Sequence, residues 1–329
     1  MIHRLSIAPM MNYTDRHFRF FMRKITKKTL LYTEMIPMNT ILKGDRNKFL
    51  SYSECEHPIS LQLGGDSPYD LAECAKIGED FGYDEINLNV GCPSERVQTG
   101  NFGACLMATP ELVSDIVSAM KASVKIPVTV KHRIGIDGKE TYEDLYKFVH
   151  IVKQASCDGF IVHARIAILK GLSPKENRTI PPLRYEDVYR LKKDFYNTRI
   201  EINGGIKSLE EAEEHLTKVD SVMIGRAAYD NPYLFIHADS FLSNEKIEEY
   251  PSREEILLSM IPYIEENEAM SVPARRIVNH MLGIFHGVEG NKKFKQFLST
   301  EMPKAISGSK LIHEALNYKE EVQNVYVNH

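Results

Sequence analysis

The chain has 329 residues, of which 43% are hydrophobic, 26% charged and 9% aromatic, a mixture too apolar for a disordered polymer and suited to one large domain with a smaller one. A net charge of −4 rules out a surface that is basic throughout, though not a local basic face. Five cysteines, odd in number and never spaced C-x-x-C, indicate neither a disulfide framework nor a thiolate zinc site, and no catalytic metal is implied.

The first residues, Met1–Ser6, lack the apolar core of a signal peptide, and no run nears the roughly 18 uncharged apolar residues that span a bilayer. A soluble, cytoplasmic protein without membrane attachment is therefore expected. Eight β-rich runs follow: Leu5–Ala8, Leu30–Tyr32, Ile59–Leu63, Glu85–Asn89, Val128–Lys131, Gly159–His163, Arg199–Ile202 and Ser221–Ile224. Between them, Leu112, Val113, Ile116, Val117 and Met120, then Leu145, Phe148, Val149 and Val152, recur at helical spacing. Thr109-Pro110 reads as an N-cap with proline at the first helical position, and Ser208 to Glu211 as a capping box. Strands alternating with helices imply parallel pairing, and eight such units fit an α/β fold of the (β/α)8 barrel type better than the alternative, an open doubly wound sheet.

Beyond Asn231-Pro232 the strand signals stop. Ser252 to Glu255 forms a capping box ahead of Ile256, Leu257, Met260, Ile261 and Ile264, and a second apolar series runs through Ile277, Met281, Leu282 and Phe285. The expected division is a barrel over residues 1–238 and a helical domain over 239–329. Arg275, Arg276, Lys292, Lys293 and Lys295 of the latter, interleaved with His280, His286, Phe294 and Phe297, read either as a solvated face over core aromatics or as a nucleic-acid footprint.

A parallel barrel carries its chemistry at the C-terminal ends of its strands. Those ends hold Ala8-Pro9-Met10-Met11, Gln62, Asn87-Leu88-Asn89 with Gly91-Cys92-Pro93, Lys131, His163, Asn203-Gly204-Gly205 and Gly225-Arg226. Glycines in the last two turns let backbone N–H groups approach an anion, Arg226 adds charge, and this is the common phosphate position of such barrels. With Pro9, Met10 and Met11 against a ring face and Gln62 and Lys131 at its polar edge, the set suits flavin mononucleotide (FMN) better than a sugar phosphate. Lys131 alone is either a cation beside a reduced flavin or a Schiff-base nucleophile. His163 is either a site residue or a histidine satisfied in the core, with Arg165 making the local field cationic. Cys92, on a glycine-containing loop, is either a proton donor or nucleophile, or an inert buried thiol. Cys105, among Ala104, Leu106 and Met107, is expected to pack inward.

Together these motifs resemble the tRNA-dihydrouridine synthases over nearly the whole chain. The resemblance rests on Ala8 to Met11, Asn87 to Ser94, Gly103 to Met107, Val130 to Arg133, His163 to Arg165, Asn203 to Gly205 and Ile224 to Ala227, while Gly171 to Arg178 and Ile180 to Leu183 resemble the A-type subclass. It implies FMN held by Pro9, Met10, Met11, Gln62, Lys131, His163, Asn203, Gly204, Gly205, Gly225 and Arg226, with NADPH as reductant. By the same resemblance a hydride from flavin N5 reaches C6 of a D-loop uracil at tRNA position 20 or 20a, Cys92 protonates C5, and cationic Lys131, His163 and Arg165 ease the build-up of charge. Asn89, Arg165 and the five basic residues of the helical domain are the implied tRNA contacts; no obligatory protein partner is implied. The rivals are a flavin-dependent free-pyrimidine oxidoreductase, a Schiff-base aldolase using Lys131, and a tRNA-binding module with an inactive barrel.

Overall fold

The apolar, β-branched runs become parallel strands: β1 (Leu5–Ile7), β2 (Leu30–Tyr32), β3 (Ile36–Pro37), β4 (Ile59–Gly64), β5 (Glu85–Val90), β6 (Val128–Arg133), β7 (Gly159–His163), β8 (Ile200–Asn203) and β9 (Ser221–Ile224). From β4 to β9 each strand pairs with the next, β1 pairs with β9 and β2, and β2 pairs with β4, so the sheet closes into an eight-stranded barrel with helices in the crossovers. The expected (β/α)8 architecture is therefore the one found. The computed structural model describes residues 3–243, 248–305 and 307–327. Residues 1–2 of the first expected domain, and residues 244–247, 306 and 328–329 of the second, lie outside the described residues.

The short β3 has no counterpart among the expected strands. Its Ile36 and Pro37 face Leu63 and Gly64, whereas Leu31 and Tyr32 face Ile59 and Ser60, so this side carries one residue more than β4 and bulges. Two residues, one of them proline, give periodicity nothing to register.

Helix ends obey the sequence unevenly. Pro110 opens the helix Pro110–Ser123, but the Thr109 side chain caps nothing and its hydroxyl turns back to the Leu106 carbonyl, 3.4 Å away. Ser208 Oγ accepts the Glu211 N–H at 3.1 Å, while the Glu211 carboxylate goes to the Lys207 N–H at 2.7 Å, so the box is only half made. Ser252 and Glu255 form the full reciprocal box. The apolar series after it is broken by Pro262 into the helices Arg253–Leu258 and Ile261–Ala269, because proline is favoured in a first turn and costly in an interior. The second series likewise breaks: the helix Arg275–Val278 gives way to a 3-10 turn over Asn279–Met281.

The chain groups into two compact units, one of Met1–Asn12 with Thr29–Gly225 and the other of Tyr13–Lys28 with Arg226–His329. The division thus falls earlier in the chain than residue 238, and a segment near the N-terminus belongs with the helices. Within that second unit Asp239 accepts bonds from Thr26 Oγ1 and from the Lys27 and Lys28 N–H groups at 2.6 to 2.9 Å, and the buried His280 ring meets Asp15 at 3.0 Å.

The barrel interior is layered by the period of two. Its lowest layer is ionic: Glu85 accepts from Tyr32, Ser60 and Thr129 at 2.8 to 3.0 Å, and Arg199 pairs with Glu85 at 3.2 Å and Glu201 at 3.0 Å. Ser6 Oγ on β1 donates to Glu201 on β8, past the intervening β9. Burial pushes the Glu201 carboxyl above its ordinary range although Arg199 and Ser6 pull it down.

Candidate active site at the barrel mouth

One layer higher, Gln62 Nε2 donates to Asn87 Oδ1 at 2.7 Å, and Asn87 Nδ2 donates to Thr129 Oγ1 at 2.8 Å. Both amides are buried and satisfied through one another, which fixes their orientation. Asn89 Nδ2 donates to Gln62 Oε1 at 2.9 Å, and Asn89 Oδ1 accepts the Gly91 and Cys92 N–H groups at 3.2 and 3.0 Å. Asn89 therefore bends the chain out of β5 and sets where Cys92 starts.

The Cys92 loop is held again at its far end. Its carbonyl accepts the Ala104 N–H at 2.9 Å, and Gly103 stands at φ +78° where a side-chain carbon would lie 2.6 Å from that carbonyl oxygen. Glycine is required there both for the left-handed turn and for the close approach. Gln98 Nε2 adds bonds to the Pro93 and Leu169 carbonyls at 2.8 and 3.0 Å. The Cys92 thiol is half-buried, donates to Ser94 Oγ at 3.7 Å, and lies within electrostatic range of Lys131 and Arg133.

Cys105 departs from expectation. It is half-buried like Cys92, because the 3-10 turn Gly103–Ala108 faces Ala104, Leu106 and Met107 inward and leaves residue 105 partly outside. Its thiol donates to the Phe102 carbonyl at 3.1 Å and burial raises its pKa.

On β6 the alternation turns Lys131 and Arg133 into the barrel while His132 packs outward against Phe148 and Phe160. Lys131 Nζ donates to Asn203 Oδ1 at 3.2 Å, and Asn203 Nδ2 donates to the Met223 carbonyl at 2.8 Å. Burial, and then the neighbouring Arg133, push the lysine down to about 8. Arg133, lowered to about 10 chiefly by burial, donates to the carbonyls of Gly91, Ile166 and Asn177 at 3.0 to 3.2 Å and so ties the Cys92 loop to the loop after β7.

His163 pairs in register with Arg133 and Asn203. Burial first, then Arg133, Lys131, Arg165 and Arg178, hold its pKa well below the ordinary value, so the ring is neutral at physiological pH rather than the cation expected beside Lys131. Its buried Nδ1 has no hydrogen-bond partner among the described residues. Arg165 donates to the Pro181 carbonyl. Asn177, fully buried, bonds Ile168, Leu172 and Ser173 and shapes the loop that ends in Leu183.

That Leu183 covers the glycine turn after β8. Gly204 and Gly205 stand at φ +115° and +79°, and a side-chain carbon on Gly205 would come within 2.6 Å of Leu183 and 2.8 Å of the Tyr185 hydroxyl. Gly225 does not have positive φ and has only Ala8 nearby, at 3.7 Å, so it leaves open space. The Ala8 N–H bonds the Ile224 carbonyl at 2.9 Å, which sets Pro9 beside that turn. Met10 packs on Ala8, Leu30, Tyr32, Ile161 and Met223, while Met11 is 49% exposed. Pro9, Met10, Gln62, Lys131, His163, Asn203, Gly204 and Gly205 thus share one unit with Cys92, Asn89 and Arg165.

Arg226 opens a short helix of the second unit and is exposed. Arg275, Arg276 and Lys292 are exposed, and Lys293 and Lys295 half-buried. The interleaved aromatics are packing: Phe294 is buried against Phe285, and Phe297 rests on Tyr318.

Residues that sequence reasoning left out of the site are Arg133, Asn177, Arg178 and Tyr185. Arg133 follows from the period of two once Lys131 is placed inside. The others sit on a loop whose path no periodicity encodes.

The mouth concentrates Lys131, Arg133, Arg165 and Arg178 about a neutral histidine, and it has a left-handed glycine turn beside it. Lys131 and Arg133, both desolvated, favour an anionic, hydrogen-bond-accepting ligand. The orphaned His163 Nδ1 and the glycine cradle fit a phosphorylated ring compound such as FMN.

A profile of the family described as dihydrouridine synthase (Dus) matches residues 6–319. The chain is 58% identical to a tRNA-dihydrouridine(20/20a) synthase of Synechocystis sp. over 315 residues, 96% of this chain and 94% of that one. Proteins of the same name from Pseudomonas aeruginosa and Vibrio parahaemolyticus are each 53% identical, over 95% of this chain and 94% and 96% of theirs.

Proposed function

This chain belongs to the dihydrouridine synthase family, and we propose that it reduces uridine to 5,6-dihydrouridine at D-loop positions 20 and 20a of tRNA, with bound FMN and with NADPH as reductant. The observation that carries the reading is the desolvated Lys131, set between the Cys92 loop and the Gly204-Gly205 turn. Pro9, Met10 and Met11 would flank the flavin ring, Gln62, Lys131, His163 and Asn203 its polar edge, and Gly204, Gly205 and Gly225 its phosphate.

Bound FMN would supply the hydride chemistry that links NADPH to C6 of the uracil. The chain's own residues do the rest. The C5=C6 double bond becomes single as Cys92 Sγ gives its proton to C5, which completes the addition of two hydrogens. Lys131 and Arg165 offset the negative charge that grows on the uracil as C6 is attacked. Asn89 holds the Cys92 loop at the required reach, and the base must leave its stack to enter. The test is the absorption spectrum: the protein takes up FMN and turns yellow, whereas a protein that binds no flavin even after reconstitution contradicts the reading.

Lys131 gives the cofactor site a pH dependence. With a lysine near 8 and an anionic ligand that favours its protonated form, FMN affinity is flat below pH 8 and falls as pH rises beyond it. Flavin titrations from pH 7 to 10 check this; Lys131→Met abolishes the fall, and a wild-type affinity constant across that range contradicts it.

For the helical unit we propose phosphate contacts by Arg275, Arg276, Lys292, Lys293 and Lys295. Neutralising Arg275 and Arg276 together weakens tRNA binding and lowers the salt slope by roughly 1 to 2, with NADPH oxidation untouched. An unchanged slope returns them to a solvated face.

A further inference from the structure

Tyr185 opens the helix Tyr185–Asp194, directly after the loop that Asn177 shapes. Its hydroxyl donates to the Gly204 carbonyl at 2.6 Å, and its ring meets His215 edge-on at 4.6 Å between centroids. The ring is thus wedged in place, half-buried, with its one polar atom on the glycine turn. In a planar trans peptide the carbonyl and the following N–H point in opposite directions. Anchoring the Gly204 oxygen on Tyr185 therefore turns the Gly205 N–H away from the tyrosine, and that N–H makes no hydrogen bond within the described residues. Both glycines stand at positive φ, where the backbone has more than one accessible well, so an outside anchor is what selects one.

We propose that Tyr185 is a positioning residue that fixes the Gly204-Gly205 peptide for a phosphate, and so makes the barrel choose a phosphorylated flavin over an unphosphorylated one. The role rests on the FMN reading of that turn. Loss of the hydroxyl frees the peptide to rotate and weakens only the part of the ligand that the turn would hold.

The experiment compares dissociation constants for FMN and riboflavin, by equilibrium dialysis with the full chain, in wild type, Tyr185→Phe and Tyr189→Phe. The last is a matched control, since the Tyr189 hydroxyl bonds His215 at 2.7 Å and not the turn. Tyr185→Phe weakens FMN about fivefold, the worth of one ordinary hydrogen bond, and leaves riboflavin affinity and melting temperature unchanged. Tyr189→Phe leaves the FMN-to-riboflavin ratio as in wild type. Equal weakening of both flavins, or of neither, by Tyr185→Phe overturns the role. A wild type that binds no FMN, or binds it no better than riboflavin, overturns the phosphate reading itself and the role with it.

Discussion

Cys92→Ala leaves NADPH-driven reduction of the bound cofactor at its wild-type rate and slows its reoxidation by tRNA by roughly 10²–10⁴-fold, the usual worth of a general acid. In the proposed mechanism the two steps separate, because only the second needs a proton at C5. Burial does not pick out Cys92, since Cys105 is half-buried too. Surroundings do. The Cys92 loop is pinned by Asn89 and stands in range of Lys131 and Arg133, whereas the Cys105 thiol is turned to the Phe102 carbonyl and has Asp66 as its charged neighbour. Cys105→Ala therefore keeps both half-reactions. Single-turnover absorbance traces with reduced protein and unmodified tRNA measure this, and collapse in Cys105→Ala with a normal Cys92→Ala exchanges the two roles.

Arg199→Met costs about 3–5 kcal/mol of folding stability, because it leaves Glu85 and Glu201 in the barrel without their cation. Urea unfolding followed by circular dichroism gives the number. The loss has a pH signature. A carboxyl whose folded pKa lies above its unfolded value holds its proton more tightly when folded, so it favours the native state on the acid side and disfavours it as pH rises through the folded pKa. Glu201 is already raised by burial. The deficit of Arg199→Met is therefore smaller at pH 5 than at pH 8, and Glu201→Gln is milder than Arg199→Met because it removes one of two carboxylates that share a guanidinium. A loss below 1 kcal/mol, independent of pH, would show that the ionic layer is dispensable.

That layer marks where sequence reading stops. Val128, Val130, Phe160, Val162, Ile200 and Ile202 announce their strands because the sheet's outer face is apolar and packed under helices. Glu85, Thr129, Arg199 and Glu201 lie on the inner side of the barrel, and nothing local says that they meet one another. The same alternation made Lys131 legible, since a lysine ending an apolar strand must have a reason to be there. It did not reveal that the pKa of His163 would be held low, because that depends first on the ring's burial in the folded barrel and then on Arg133 and Arg178 arriving from other segments. The missed bond at Thr109 has a different cause: composition suggests a cap, but geometry decides whether the hydroxyl reaches it.

The proposed chemistry is tested most directly by incubating an unmodified tRNA transcript with the purified protein, FMN and NADPH, then mapping the product by mass spectrometry. The expected result is a gain of two hydrogens at uridine 20 or 20a, dependent on NADPH and lost in Cys92→Ala. A protein that oxidises NADPH yet leaves every D-loop uridine unchanged, or that reduces free uracil in preference to tRNA, contradicts the account.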